Sequence, residues 1–260
     1  ISGNTQLSIT PLFNGLTNLS LDLQKLIPDS IFVGQNKIIN WTYNDTLLLV
    51  PLTNSYSTAD TISCTVFYHG TPQKDPSGWG GFYFSSDSTF AFNMGVGMQD
   101  DPHNYGRIWY TCVDNFTDRA TYDFNITVKN NNIAICNGSL IGTTSGNNTI
   151  SYHWNLQNNI PTYLASVAIG DYVSLQDTFN SINGPIPIAI YVPQAQLAAA
   201  QASFVNLKSI LTAYEYYYGP YRWERIGYVG VPFNSGAMEH ATTIHIGLGY
   251  INGTTSYETL

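Results

Sequence analysis

Carboxylates are scarce in this sequence, with 17 Asp and Glu among 260 residues, so each one beside a chemistry-bearing neighbour carries weight. Residues 231–243, VPFNSGAMEHATT, set Glu239 and His240 directly after a Gly-Ala-Met turn that follows an apolar stretch. Two readings are open for Glu239. It is an exposed turn acid, or it is a grip for a positively charged ligand group, where a charge-assisted hydrogen bond is roughly twice as strong as a neutral one. Residues 97–116, GMQDDPHNYGRIWYTCVDNF, collect Gln99, Asp100, Asp101 and Asp114 around Arg107 and Cys112. A carboxylate pair facing a cleft would anchor an ammonium group. By spacing alone, Asp100 and Asp101 are turn residues before Pro102, and Asp114 is an Arg107 partner or a helix cap.

Other chemistry finds less support. His69, His103, His153, His240 and His245 form no HExxH or His-x-His pattern and do not pair with the cysteines, so no metal site is expected within these residues. His240 and His245 are five apart on an expected strand, which would turn them to opposite faces. Residues 77–84, SGWGGFYF, have the glycines of a phosphate loop but neither a Lys-Ser/Thr pair nor a following helix. They read as a glycine hairpin between aromatic strands. Aromatic abundance is compatible with a sugar-stacking platform, but in a β domain aromatics mostly fill sheet faces. Cys64, Cys112 and Cys136 lack CxxC and zinc-finger spacing. Their odd number allows one disulfide with a spare thiol or three buried free thiols, and the second is favoured.

The elements that must position these residues are mostly strands. LSLDL puts Leu19, Leu21 and Leu23 on one face; TYDFNITV does the same with Tyr122, Phe124, Ile126 and Val128. Asn, Gly and Ser clusters such as KNNN and TTSGNN separate such runs, as hairpin loops do. Many short strands without intervening helices predict an antiparallel sandwich over residues 1–192. From 194 to 218 the apolar residues Leu197, Phe204, Leu207, Leu211, Tyr214 and Tyr218 recur mainly at three and four, which predicts an amphipathic helix stopped by Gly219 and Pro220. RIGYVGVPF and TTIHIGLGY then return to strand. With 9 Lys and Arg against 17 Asp and Glu, the net charge of −8 argues against nucleic acid or anionic lipid as a partner. No apolar run approaches the roughly 18 residues of a membrane span. The start at Ile1 reads as a mature or trimmed chain. Sequons at Asn18, Asn40, Asn44, Asn115, Asn125, Asn137, Asn147 and Asn252 point weakly to a secreted or periplasmic setting.

GAMEH after an apolar strand resembles the GAMEN exopeptidase motif of the M1 (gluzincin) zinc aminopeptidases. Residues 106–128, GRIWYTCVDNFTDRATYDFNITV, are similar to the family's Ala-Arg-x-x-Phe-Pro-Cys-Phe-Asp-Glu-Pro segment followed by Lys-Ala-Thr-Tyr and a strand. IPTYLASVAIGDY resembles the strand closing the family's N-terminal domain, and YEYYYGPYRWERIGYVGVPF the helix and strand entering its catalytic domain. The resemblance implies a mainly β fold: a saddle-like antiparallel β-sandwich domain over residues 1–192, then the first lobe of a thermolysin-like α+β catalytic domain over residues 193–260. It implies removal of N-terminal residues from peptides with a free N-terminus. In the family one zinc ion polarises the scissile carbonyl and activates a water, with a glutamate as general base. Glu239 would bind the α-ammonium. Gly236, Ala237 and Met238 would line the substrate, which adds to the turn like a strand. Gln99 and Asp101 match the family's second amine-contacting stretch.

Three departures qualify the resemblance. His240 stands where most members have Asn. Asp101 is shorter than the usual Glu and lies one residue further from Arg107; residues 111–116, TCVDNF, also drift from Pro-Cys-x-Asp-Glu-Pro. Lastly, the sequence reaches SYETL where the zinc helix should begin, so the zinc ligands are expected beyond Leu260, on the remaining catalytic domain of a parent chain. These 260 residues alone are then expected to be inactive. The competing reading is a non-catalytic M1-like or β-sandwich binding module.

Overall fold

The protein is represented by a computed structural model that describes residues 1–87, 89–99 and 101–257. The expected alternation produces strands along most of its length. Seven lie in the first compact unit, which comprises Ile1–Phe82, Val96–Asp118 and Pro161–Tyr163. They are β1 (Ser2–Ile9), β2 (Leu16–Asp22), β3 (Ile27–Val33), β4 (Asn36–Ile38), β5 (Thr42–Tyr43), β6 (Leu47–Tyr56) and β7 (Ile62–His69). They form one sheet of order β1-β7-β3-β4 and a second of order β2-β6-β5, both antiparallel. Leu19 and Leu21 on β2 are buried while Ser20 is exposed, the burial pattern a period of two requires. Leu48, Val50, Cys64 and Val66 complete this core without measurable exposure.

The second unit comprises Tyr83–Gly95, Arg119–Ile160 and Leu164–Leu260. Strands β8 (Gly80–Phe84) and β9 (Ala91–Gly97) run into it, followed by β10 (Ala120–Lys129), β11 (Ile133–Cys136), β12 (Ser139–Ser145), β13 (Thr149–Ile160) and β14 (Val167–Gly170). These make a three-stranded sheet, β10-β13-β12, and a four-stranded one, β11-β14-β9-β8. Phe124 and Val128 of β10 are buried, and Asp123 and Asn125 are exposed. The glycine segment at 77–84 leads into β8 as a turn. There Gly80, at φ +105°, lies so near the Val96 carbonyl that a Cβ would sit 1.9 Å from it.

The chain ends in a five-stranded mixed sheet of order β15-β16-β17-β19-β18. Its strands are β15 (Val173–Ser181), β16 (Gly184–Val192), β17 (Ile226–Val231), β18 (Ala237–Met238) and β19 (Ile244–Gly247). The β16–β17 pair is parallel and needs a crossover. Helices α1 (Leu197–Ser203) and α2 (Leu207–Tyr218) supply it. Ile188, Val192, Ala200, Leu211, Ile226 and Ile246 share one apolar cluster with these helices.

Helix forms where its period predicts, but a turn divides it. Phe204 leaves the helical region at φ −102°, ψ 16°, its N–H still bonded to Ala200, while the Leu207 N–H turns back to Phe204. The Phe204 ring instead meets Tyr228, 4.8 Å between centroids. The apolar face is correspondingly narrower than the spacing implied: Tyr214 and Tyr218 are 53% and 84% exposed. Gly219, at φ +89°, ends α2.

Candidate functional site

Glu239 lies at the tip of the β18–β19 hairpin. Ala237 pairs with Ile246 and Met238 with His245. Gly236 enters the hairpin at φ +119° in open space, so the backbone conformation, rather than crowding, calls for glycine. Its carbonyl accepts the Gly247 N–H at 3.0 Å. Met238 is buried, Gly236 and Ala237 are half-buried, and Glu239 is exposed. Among the described residues the Glu239 carboxylate has no hydrogen-bond or ion-pair partner.

The residues after it are held from several sides. His240 and His245 both approach the carbonyl of Asn93, at 3.3 Å from Nε2 and 2.9 Å from Nδ1. Their rings meet edge to face with centroids 4.6 Å apart. The two histidines therefore do not point to opposite faces. His240 sits in a turn closed by the Thr243 N–H on its carbonyl, so strand alternation does not apply to it. Burial, then the neighbouring His240, holds His245 well below the ordinary histidine pKa. Two imidazoles sharing one carbonyl acceptor must each present an N–H to it, which both do as neutral rings.

Ala241 gives its carbonyl to Asn137 Nδ2 at 2.5 Å. Thr242 has φ +63°, a left-handed conformation rare for a β-branched residue. Its Oγ1 accepts the Gly138 N–H at 2.7 Å, and a Cβ on Gly227 would fall 2.2 Å from its carbonyl. Thr243 Oγ1 donates to the Cys136 carbonyl at 2.9 Å and accepts from Arg225 Nη2. Arg225 also donates to that carbonyl at 2.6 Å, with its guanidinium 4.6 Å from the Trp154 ring centroid. The turn is thus a fixed platform with one exposed carboxylate.

Gln99 and Asp101 belong to the first unit and are exposed; Asp100 and Leu260 lie outside the described residues. The loop carrying Gln99 is tied down by Asp75, which is 2% exposed. Asp75 Oδ1 accepts the Gln99 N–H at 3.4 Å and the Tyr105 hydroxyl at 3.2 Å, and Oδ2 accepts the Ser77 hydroxyl and N–H. Burial acts to raise the Asp75 pKa, but these hydrogen bonds prevail and hold it below the ordinary value. Asp114 is buried, accepts the Arg107 N–H at 3.0 Å and pairs with its guanidinium at 3.6 Å. Cys64, Cys112 and Cys136 are all free and buried. Among the sequons, Asn137 has no exposed surface.

Sequence reasoning missed Asn93, Asn137, Thr242, Arg225 and Asp75. Their contacts are set by how the folded segments meet, which leaves no local pattern in the sequence. Among the described residues, no three His, Cys, Asp or Glu side chains come together to hold a metal ion. The described residues do not fit a zinc centre. Among the described residues no helix is long and apolar enough to cross a membrane.

The profile of the Peptidase M1 N-terminal domain matches residues 1–164. The chain belongs to the M1 peptidase family. Solved structures of similar fold include the M1 zinc metallopeptidase of Deinococcus radiodurans, a mutant of which was crystallised with a Tyr-Ser-Ala substrate. It has a TM-score of 0.83 at 18% identity, over 95% of this chain and 56% of that one. A two-domain M1 zinc metallopeptidase mutant bound to L-tryptophan gives 0.84 at 18% identity, over 98% and 57%. Legionella pneumophila aminopeptidase A in complex with aspartic acid gives 0.79 at 16% identity, over 94% and 28%. At such identities the likeness shows a shared fold. This chain therefore spans just over half the length of the first two M1 structures. No curated protein sequence matches it.

Proposed function

We propose that this chain is the N-terminal part of a zinc-dependent M1 aminopeptidase that removes N-terminal residues from peptides, with Glu239 as the anchor of the substrate's ammonium group. The observation that carries this reading is the exposed, unpaired Glu239 carboxylate on a turn whose other residues are held by buried hydrogen bonds. A carboxylate carried on an ordered backbone in such a place favours a cation, because only its own side-chain rotamers are left to fix on binding. Gly236 and Ala237, half-buried at the hairpin's entry, would run beside the substrate backbone, and Met238 would fix the hairpin from beneath. For Gln99 and Asp101, on the loop tied to Asp75, a second amine-contacting role is what the family resemblance implies. Residues 1–192 serve as the N-terminal domain and 193–260 as the first lobe of the catalytic domain. Zinc and its ligands would come from the remaining catalytic domain of the parent. A secreted or periplasmic setting belongs to the same reading and rests on the exposed sequons. The M1 relatives crystallised with amino acids and a tripeptide support the substrate class.

The test is Glu239→Ala in the whole parent protein. Loss of the ammonium's partner should lower kcat/KM on free-amine substrates by roughly 30- to 1000-fold, corresponding to about 2–4 kcal/mol. An unchanged rate would refute the role of Glu239.

A further inference from the structure

Asn137 follows β11 and has no exposed surface. An asparagine side chain offers two N–H donors and a carbonyl oxygen with two lone pairs. Here all four are used. Nδ2 donates to the Leu164 carbonyl at 2.9 Å and the Ala241 carbonyl at 2.5 Å. Oδ1 accepts the Ser166 N–H at 2.6 Å and the Ser166 hydroxyl at 3.1 Å. One side chain therefore joins three stretches of chain, and Ala241, two residues from Glu239, is 104 residues away in sequence. Aspartate would keep the face toward Ser166 but lose both donors, leaving two buried carbonyls without partners. Glutamine adds a methylene to a closely packed site.

The neighbouring residue braces the same turn. The Gly138 N–H reaches Thr242 Oγ1, and Gly138 itself stands at φ +80° where a Cβ would lie 2.0 Å from the Asn155 carbonyl. Before Glu239 the backbone is held by the Met238–His245 pairing; after it, by Asn93 and Asn137. The Glu239 side chain has no tie of its own among the described residues, so its direction is inherited from these backbone anchors.

We infer that Asn137 is a positioning residue for Glu239: through the Ala241 carbonyl it sets the turn so that the carboxylate meets the substrate's ammonium. This rests on the role proposed for Glu239. The test compares wild type, Glu239→Ala, Asn137→Asp and Val66→Ala in the whole parent protein. The readouts are KM for a free-amine substrate, the inhibition constants of a free amino acid and of the same acid lacking its amino group, and the thermal midpoint. Asn137→Asp should raise KM and the amino acid's inhibition constant roughly tenfold, as a displaced anchor does, and leave the amine-free acid's constant unchanged. Val66→Ala removes buried volume from the core of the first unit and keeps the Asn137 contact, and should leave the amino acid's constant unchanged. Should Asn137→Asp not fold, the smaller, uncharged Asn137→Ser carries the same test.

If the Asn137 variant lowers only the thermal midpoint, or weakens both inhibitors equally, its role is structural and the inference is overturned. A loss in Val66→Ala equal to that in the Asn137 variant would show that lost stability alone weakens amine binding, and overturns the assignment to Asn137. If Glu239→Ala binds the amino acid as well as wild type does, the reading of Glu239 and this inference fall together. Weakening by Glu239→Ala but not by the Asn137 variant overturns this inference alone.

Discussion

At the residue scale, the proposed chemistry rests on one exposed acid followed directly by four buried residues, His240 to Thr243. Glu239 was legible in the sequence because the motif is contiguous: five residues, read in order, name the turn and its acid. Asn93 and Asn137 were not legible, because each meets the turn from a distant part of the chain. The His245–Asn93 contact spans 152 positions and the Asn137–Ala241 contact 104. The sequence reading likewise sent His240 and His245 to opposite faces, since it extended strand periodicity through a turn. Their shared burial leads to a pH prediction. The folded pKa of His245 lies well below the ordinary 6.5. Between the folded pKa and 6.5 the unfolded chain holds more protons, so stability rises with pH. This contribution is complete above 6.5 and is lost as pH falls below it. The urea midpoint should accordingly drop between pH 7.5 and 5.5, and His245→Gln should flatten that dependence. Asp22 and Asp114, raised chiefly by burial above the usual 3.8, act with the opposite sign: their folded forms hold extra protons, so they favour folding as pH falls. A midpoint that does not move would remove the histidine pair from the turn's energetics.

At the element scale, periodicity named most strands and the helical stretch, while the partition of the helix depended on tertiary contacts. Residues spaced at three and four extend to Tyr218, yet only Leu207, Leu211 and Glu215 of α2 are buried. Tyrosine fits an apolar period and a wet surface equally well, so the spacing overstated the buried face. Glu215 shows what the pattern leaves out. It accepts hydrogen bonds from the Ser181 hydroxyl at 2.5 Å, the Tyr221 N–H at 2.9 Å and the Ile182 N–H at 3.1 Å, joining α2 to the β15–β16 turn. If the crossover helix docks through the cluster around Leu211, Leu211→Ala should destabilise the protein by about 2–4 kcal/mol. Chemical denaturation measures this directly, and a loss comparable to that of a surface substitution would show that α2 is not docked there.

For the whole molecule, the M1 fold was readable from the order of four sequence blocks, but the path of the chain through its sheets was not. Strands β8 and β9 each run from one compact unit into the other, and the first unit also recruits residues 161–163. Strand composition carries no record of that exchange, because a buried period-two segment reads alike in any sheet. On the proposed reading, catalysis needs more than these 260 residues. The isolated chain should show no peptide hydrolysis and retain no stoichiometric zinc after gel filtration, whereas a chelator should abolish activity in the whole parent. Hydrolysis by the isolated chain that survives chelation would overturn the metal-dependent assignment. The three buried free cysteines have a separate consequence. Burial pushes the Cys64 thiol up to about 11, and thiols kept protonated and covered do not react with alkylating reagents until their surroundings open. Cys64 and Cys112 lie in the first unit and Cys136 in the second, against Thr243 and Arg225. The native sequence thus carries its own internal clocks, with two timing exposure in one unit and one timing the release of the platform beneath Glu239.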